Sequence, residues 1–131
     1  MGRSHHLAEL QYAIMRVLWD RGEATVAEVQ EALADEKSRA LTTIATMLTK
    51  MERKGVVAHR NEGRQFVYRP RVSRSEVHRS MVGELTDRLF SGDFAALVSH
   101  LLTEQEIDAR EIERLKSLIA ERSSKERRRG R

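Results

Sequence analysis

Three observations predict a mainly α-helical chain carrying one small β-hairpin. Apolar residues recur at helical spacing through most of the 131 residues, and Pro70 is the single proline. The period shortens from helical to alternating in one stretch, between Gly55 and Pro70.

The first helix is expected over Leu7–Arg21. Leu10, Ile14, Val17 and Leu18 make its stripe, Tyr12, Met15 and Trp19 surround it, and Gly22 stops it. Thr25 with Glu28 is a capping box opening a short second helix, whose inner residues are Val26, Val29 and Leu33. Glu23 to Thr25 has the makings of a brief strand. After the polar break DEKSR, the stretch ALTTIATMLTKMERKG supplies the third helix, stopped by Gly55. Ile44, Leu48 and Met51 recur at i, i+4, i+7 on one face, with Leu41 and Met47 beside them. Thr42, Thr46, Thr49, Lys50 and Arg53 lie opposite.

The runs VVAHR and RQFVYR then read as two strands, joined by a three-residue loop of Asn61, Glu62 and Gly63. Val57 and His59 share a face with Phe66 and Tyr68. Three helices followed by a hairpin within roughly 65 residues is the order of a winged helix-turn-helix, whose third helix enters a major groove. The expected DNA-binding domain is 7–71.

Past Pro70 three further helices are expected, forming a second lobe over 72–122. Ser73 and Glu76 cap a helix with Val77, Met81, Leu85 and Leu89 on one face, broken at SGD. FAALVSHLL follows, apolar on nearly every side. Thr103 with Glu106 is read as a third capping box, opening a charged helix striped by Ile107, Ile112, Leu115, Leu118 and Ile119. Fifty residues in three helices bury little surface alone. The lobe therefore reads as a dimerisation arm, using Met81, Leu85, Leu89, Phe94, Leu97, Val98, Leu101, Leu102, Ile112 and Leu115. The basic end, residues 123–131, is expected to be disordered.

The composition narrows the function. With no cysteine there are neither disulfides nor thiolate metal sites, and no apolar run approaches the ~20 residues that span a bilayer. The expected location is the cytoplasm. From Leu41 to Arg71 there are seven Lys or Arg against two Glu, a local positive patch of the kind nucleic acid attracts. Thr42, Thr43, Thr46 and Lys50 are the candidate base and phosphate contacts of the third helix. Arg39 before it and Arg60 and Arg64 on the hairpin are candidate phosphate contacts. The five histidines lack ligand spacing, so no metal or cofactor is expected. No nucleophile–base or paired-carboxylate arrangement points to an enzyme. A DNA-binding repressor and a winged helix used as a protein-interaction module both remain. The first wants hydroxyls and cations on the third helix, and the second wants exposed apolar residues there.

Several segments together resemble the penicillinase repressor family, the BlaI/MecI regulators of β-lactam resistance. LAELQYAIMRVLW resembles the family's first helix, LTTIATMLTKMERKGVV its recognition helix and GRQFVYRP its wing. SGDFAALVSHLLTEQEIDAREIERLKSLI resembles its dimerisation segment. The resemblance covers about residues 7 to 122. It implies a homodimer repressing from a palindromic double-stranded DNA operator. It further implies a membrane sensor metalloprotease as partner, relieving repression by a cut that aligns near His100–Leu101. The family's bond is typically Asn-Phe, whereas this chain has His-Leu. The family's copper-sensing branch uses a cysteine cluster that this chain lacks.

Overall fold

The computed structural model describes residues 7–130. Six helices and three short strands follow in the order α1 (Glu9–Arg21), β1 (Ala24–Thr25), α2 (Val26–Ala32), α3 (Leu41–Arg53), β2 (Val57–Glu62), β3 (Gln65–Pro70), α4 (Arg74–Phe90), α5 (Phe94–Glu104) and α6 (Ala109–Arg129). The strands form one antiparallel sheet in the order β1-β3-β2, with Ala24 opposite Tyr68 and His59 opposite Tyr68 on its other edge. This is the winged helix expected from the sequence, and the brief pairing near Thr25 is real.

The core forms where the stripes meet. Ile14, Met15 and Leu18 of α1, Val29 of α2, Leu33 just after it, and Ile44, Leu48 and Met51 of α3 are almost wholly buried. Val56, Val57 and Tyr68 close the bottom. Burying each such aliphatic chain stabilises by about 1.5–3 kcal/mol. The Thr25–Glu28 and Ser73–Glu76 boxes are both made. At the far end of α3, Val56 N–H reaches Met51 O and Gly55 N–H reaches Glu52 O, with Gly55 at φ 83°. That Schellman turn needs the left-handed conformation glycine adopts most cheaply, and it turns the chain straight into β2.

α4 is tied to α1 by a knot of rings. Tyr12 Oη lies 2.6 Å from His78 Nε2, Trp19 Nε1–H donates to Val72 O at 2.9 Å, and the Tyr12 and Trp19 rings meet edge to face. Arg74 lies over the Trp19 ring and reaches Asp20 at 2.8 Å. Val77 is fully buried against the same core. Beyond Met81 the packing thins. α5 leans on α4, and α6 makes no substantial contact with any described element.

Four expectations are corrected. The hairpin loop is two residues, Gly63 and Arg64, because Asn61 and Glu62 pair with Phe66 and Gln65 in the ladder. Gly63 alone takes positive φ, the pattern of a type II′ turn. Thr103 caps nothing: its hydroxyl bonds back to Ser99 O inside α5, and Asp108 caps α6 by accepting from Glu111 N–H at 2.9 Å. Ile107 therefore precedes the helix rather than belonging to it. Finally, the basic end is helical as far as Arg129, where disorder was expected. Nothing from Ala120 to Arg129 breaks a helix, Arg122 pairs with Glu126 one turn on, and cations in the last turn suit the helix dipole.

Candidate nucleic-acid interface

α3 turns Ile44, Leu48 and Met51 into the core, which obliges its other side to face out. Thr42, Thr43, Thr46, Thr49, Lys50 and Arg53 are all exposed there. That surface holds six hydroxyl or cationic side chains and no carboxylate. Thr49 is the one turned back: its hydroxyl donates to Ala45 O at 3.0 Å. The amphipathic split explains a helix rich in a residue type that mildly disfavours helices.

The start of α3 differs from those of α2, α4, α5 and α6, and shares with α1 an alanine N-cap that makes no side-chain cap. Side chains of Thr25, Ser73, Asp93 and Asp108 cap α2, α4, α5 and α6, and Gln11 folds back to the Ala8 N–H at α1. Ala40 precedes α3 and offers no side-chain acceptor. The N–H groups of Leu41 and Thr42 thus point outward beside exposed threonines, an arrangement that accepts a phosphate oxygen well. Gln30 steadies the approach by donating to Arg39 O at 3.0 Å, and the exposed Arg39 guanidinium rests on Ser38 O. Lys37 points elsewhere, paired with Glu9, whose carboxyl it holds below the usual range.

The two candidate arginines of the hairpin part company. Arg60 is clamped by both carboxylate oxygens of Glu23 and by Glu62 at 2.8 Å. The pairing lowers the Glu23 pKa and raises that of Arg60. One guanidinium between two carboxylates leaves that patch net negative, and the pairing ties the hairpin to the turn between α1 and β1. Arg64, at the turn, is exposed and has no ion pair with a described residue. Of the pair, Arg64 is the one presented outward.

A junction the sequence did not flag joins α3 to the hairpin. His59 Nδ1 lies 2.7 Å from Glu52 Oε1, and the His59 ring stacks on Phe66 at 4.1 Å. Tyr68 is buried beneath them, and that burial pushes its hydroxyl pKa up. Phe66 stays 46% exposed at the outer end of the stack. Glu52 and His59 meet because the Gly55 turn reverses the chain between them, which the linear order hides. Among the described residues no group of three His, Asp or Glu converges as a metal site.

Of the expected dimerisation residues, Leu85, Leu89, Phe94, Val98, Leu101, Leu102 and Leu115 are exposed on α4–α6. Met81, Leu97 and Ile112 are half-buried. His100 and Leu101 lie in the second half of α5 and are both exposed, with the His100 ring 5.7 Å from that of Phe90 on α4. No described helix is long and apolar enough to cross a membrane.

Comparison with known proteins gives a consistent picture. The sequence model described as "Penicillinase repressor" matches residues 7–121. A transcriptional regulator BlaI of Mycobacterium tuberculosis is 32% identical over 123 residues, 92% of this chain and 88% of its own. A penicillinase repressor of Bacillus licheniformis is 25% identical over 95% of this chain and 98% of its own. The solution structure of the DNA-binding domain of a BlaI repressor superimposes with a TM-score of 0.51 at 30% identity. It covers 58% of this chain and 93% of that domain.

Proposed function

The chain belongs to the penicillinase repressor family, a family of DNA-binding transcriptional repressors rather than enzymes, and from that premise we infer how it works. It represses transcription by binding double-stranded DNA sequence-specifically, as a homodimer on a palindromic operator. The carrying observation is the outer face of α3, where hydroxyls and cations stand without a carboxylate next to an uncapped helix start. Thr42, Thr43, Thr46 and Lys50 are placed to read base edges and neighbouring phosphates, with Arg39 and Arg64 on the flanking backbone. A protein-interaction winged helix would want apolar residues on this face. Leu41, at its edge, is the one large apolar side chain exposed there.

What supports the homodimer is the arm. An exposed apolar surface running over three helices is larger than a soluble monomer ordinarily leaves uncovered, and a second copy of the arm is its natural complement. Two heads held at fixed separation bind two half-sites far more tightly than either alone. Relief by a membrane sensor metalloprotease cutting at His100–Leu101 follows from the same logic, since cutting α5 uncouples the heads. α5 must unwind locally for that, because a protease active site takes an extended strand.

Fluorescence anisotropy of the purified chain on its own upstream DNA and on a scrambled duplex tests this. Preference for the upstream duplex by at least ~10³-fold at physiological salt is expected. Absence of binding to either duplex overturns the repressor reading in favour of the interaction module.

A further inference from the structure

The C-terminal half of α6 is chemically unlike the rest of the arm. Its apolar stripe of Ile112, Leu115, Leu118 and Ile119 ends at Ile119, yet the helix runs on to Arg129, about 15 Å further. No apolar side chain larger than alanine occurs after Ile119. Residues 120–131 hold six Lys or Arg and two Glu, a net charge of +4. That equals the net charge of the whole chain, so residues 1–119 sum to zero. Arg122 is paired with Glu126. Lys125, Arg127, Arg128 and Arg129 are exposed and have no ion pair with a described residue. The match to the penicillinase repressor family stops at residue 121, so this basic rod lies outside what the family match covers.

We propose that the C-terminal end of α6 is a second DNA-contacting element, which binds phosphates outside the bases read by α3. The proposal rests on the repressor reading above. A helix lying on a membrane surface needs large apolar residues opposite its cations, and this segment has none. DNA places one negative charge per ~1.7 Å of its axis, and an all-round basic helix end needs no particular rotation to meet it. Because the contact is to phosphate, it adds affinity for any sequence and leaves discrimination between sequences to α3.

The test is the salt dependence of binding by the full chain and by the triple variant Arg127→Gln, Arg128→Gln, Arg129→Gln, on the upstream and scrambled duplexes. The slope of log K against log salt is expected to become shallower by about 0.9 for each phosphate no longer neutralised, roughly 2–3 per protomer. The change should be equal on both duplexes, leaving their ratio within about 2-fold. The matching Arg→Lys variant should keep the original slope. An unchanged slope in the Gln variant overturns the proposal, as does a shift in self-association by sedimentation equilibrium in its place, which assigns the rod to a protein contact. If the unaltered chain binds both duplexes equally, the upstream DNA is not its operator and the slope difference on scrambled DNA still decides the role of α6, whereas binding to neither overturns the repressor reading itself.

Discussion

The segment up to Val77 and the segment from Val82 onward use apolar residues in opposite ways. In the first, Ile14, Leu18, Ile44, Leu48 and Met51 reach full burial within a single chain. In the second, Leu89 is 68% exposed, Ile119 62% and Phe94 59%, and no residue of α5 or α6 is buried. Both segments carry regular helical stripes, so periodicity alone does not reveal which will close on itself. What separates them is the number of surfaces that converge. Three helices, a sheet and the start of α4 surround the first core, whereas α6 has no close neighbour among the described elements. A stripe with no partner in its own chain predicts a partner in another.

The sharpest break of the contrast is Leu48→Ala. Removing a fully buried leucine from the head should cost about 2–5 kcal/mol of stability, read by thermal or urea unfolding. Self-association of the arm should survive at temperatures where the variant is still folded. Leu101→Asp is the counterpart on the arm. It should weaken dimerisation at least ~30-fold, about 2 kcal/mol, in sedimentation equilibrium while leaving the head's unfolding unchanged. Equal destabilisation of the head by both substitutions would erase the distinction.

The next effect is on recognition alone. Thr46→Ala should cost about 1 kcal/mol of preference for the operator, and Lys50→Ala should lower affinity for all sequences and reduce the salt slope by ~1. Neither should touch dimerisation, and a loss of dimer in either would show that the two surfaces have been misplaced. Smaller still is the difference between the hairpin arginines. Arg64→Gln should reduce the salt slope by ~1, whereas Arg60→Gln should leave it unaltered because its charge is already matched by Glu23 and Glu62.

The smallest effect is on acid stability. Glu23 has its pKa lowered in the fold, by the Arg60 hydrogen bond first, so its contribution is present above the ordinary carboxylate pKa of about 4.3 and fades as pH falls through the lowered value. Glu23→Gln should therefore remove a little of the stability lost between neutral pH and about pH 3, measured by unfolding across that range.

Local patterns were legible and distant partners were not. The inner face of α3 was readable because Ile44, Leu48 and Met51 repeat within one helix, and the Thr25 and Ser73 caps because their partners lie three residues on. Asn61 and Glu62 look like loop residues, but pairing with β3 draws them into the ladder. Thr103 followed by Glu106 has the letters of a capping box. The hydroxyl instead found the Ser99 carbonyl one turn back, a local competition that spacing does not resolve. The Arg60 pairing is not readable from the sequence, because Glu23 is 37 residues away and arrives beside it only when the hairpin docks.

The knot of Tyr12, Trp19, Arg74 and His78 has a mechanical consequence. It sits where the head ends and the arm begins, and it replaces a swivel with a clamped joint. Two clamped joints in a dimer would make the chain a ruler: the distance and twist between its reading helices are set by the protein's own stiffness. One base pair added between half-sites turns the second by about 34° and carries it out of register. A supple joint would forgive that error, while this one passes the strain to the DNA or to the arms. Tolerance of operator spacing is then a measure of how firmly an aromatic stack holds one helix to another.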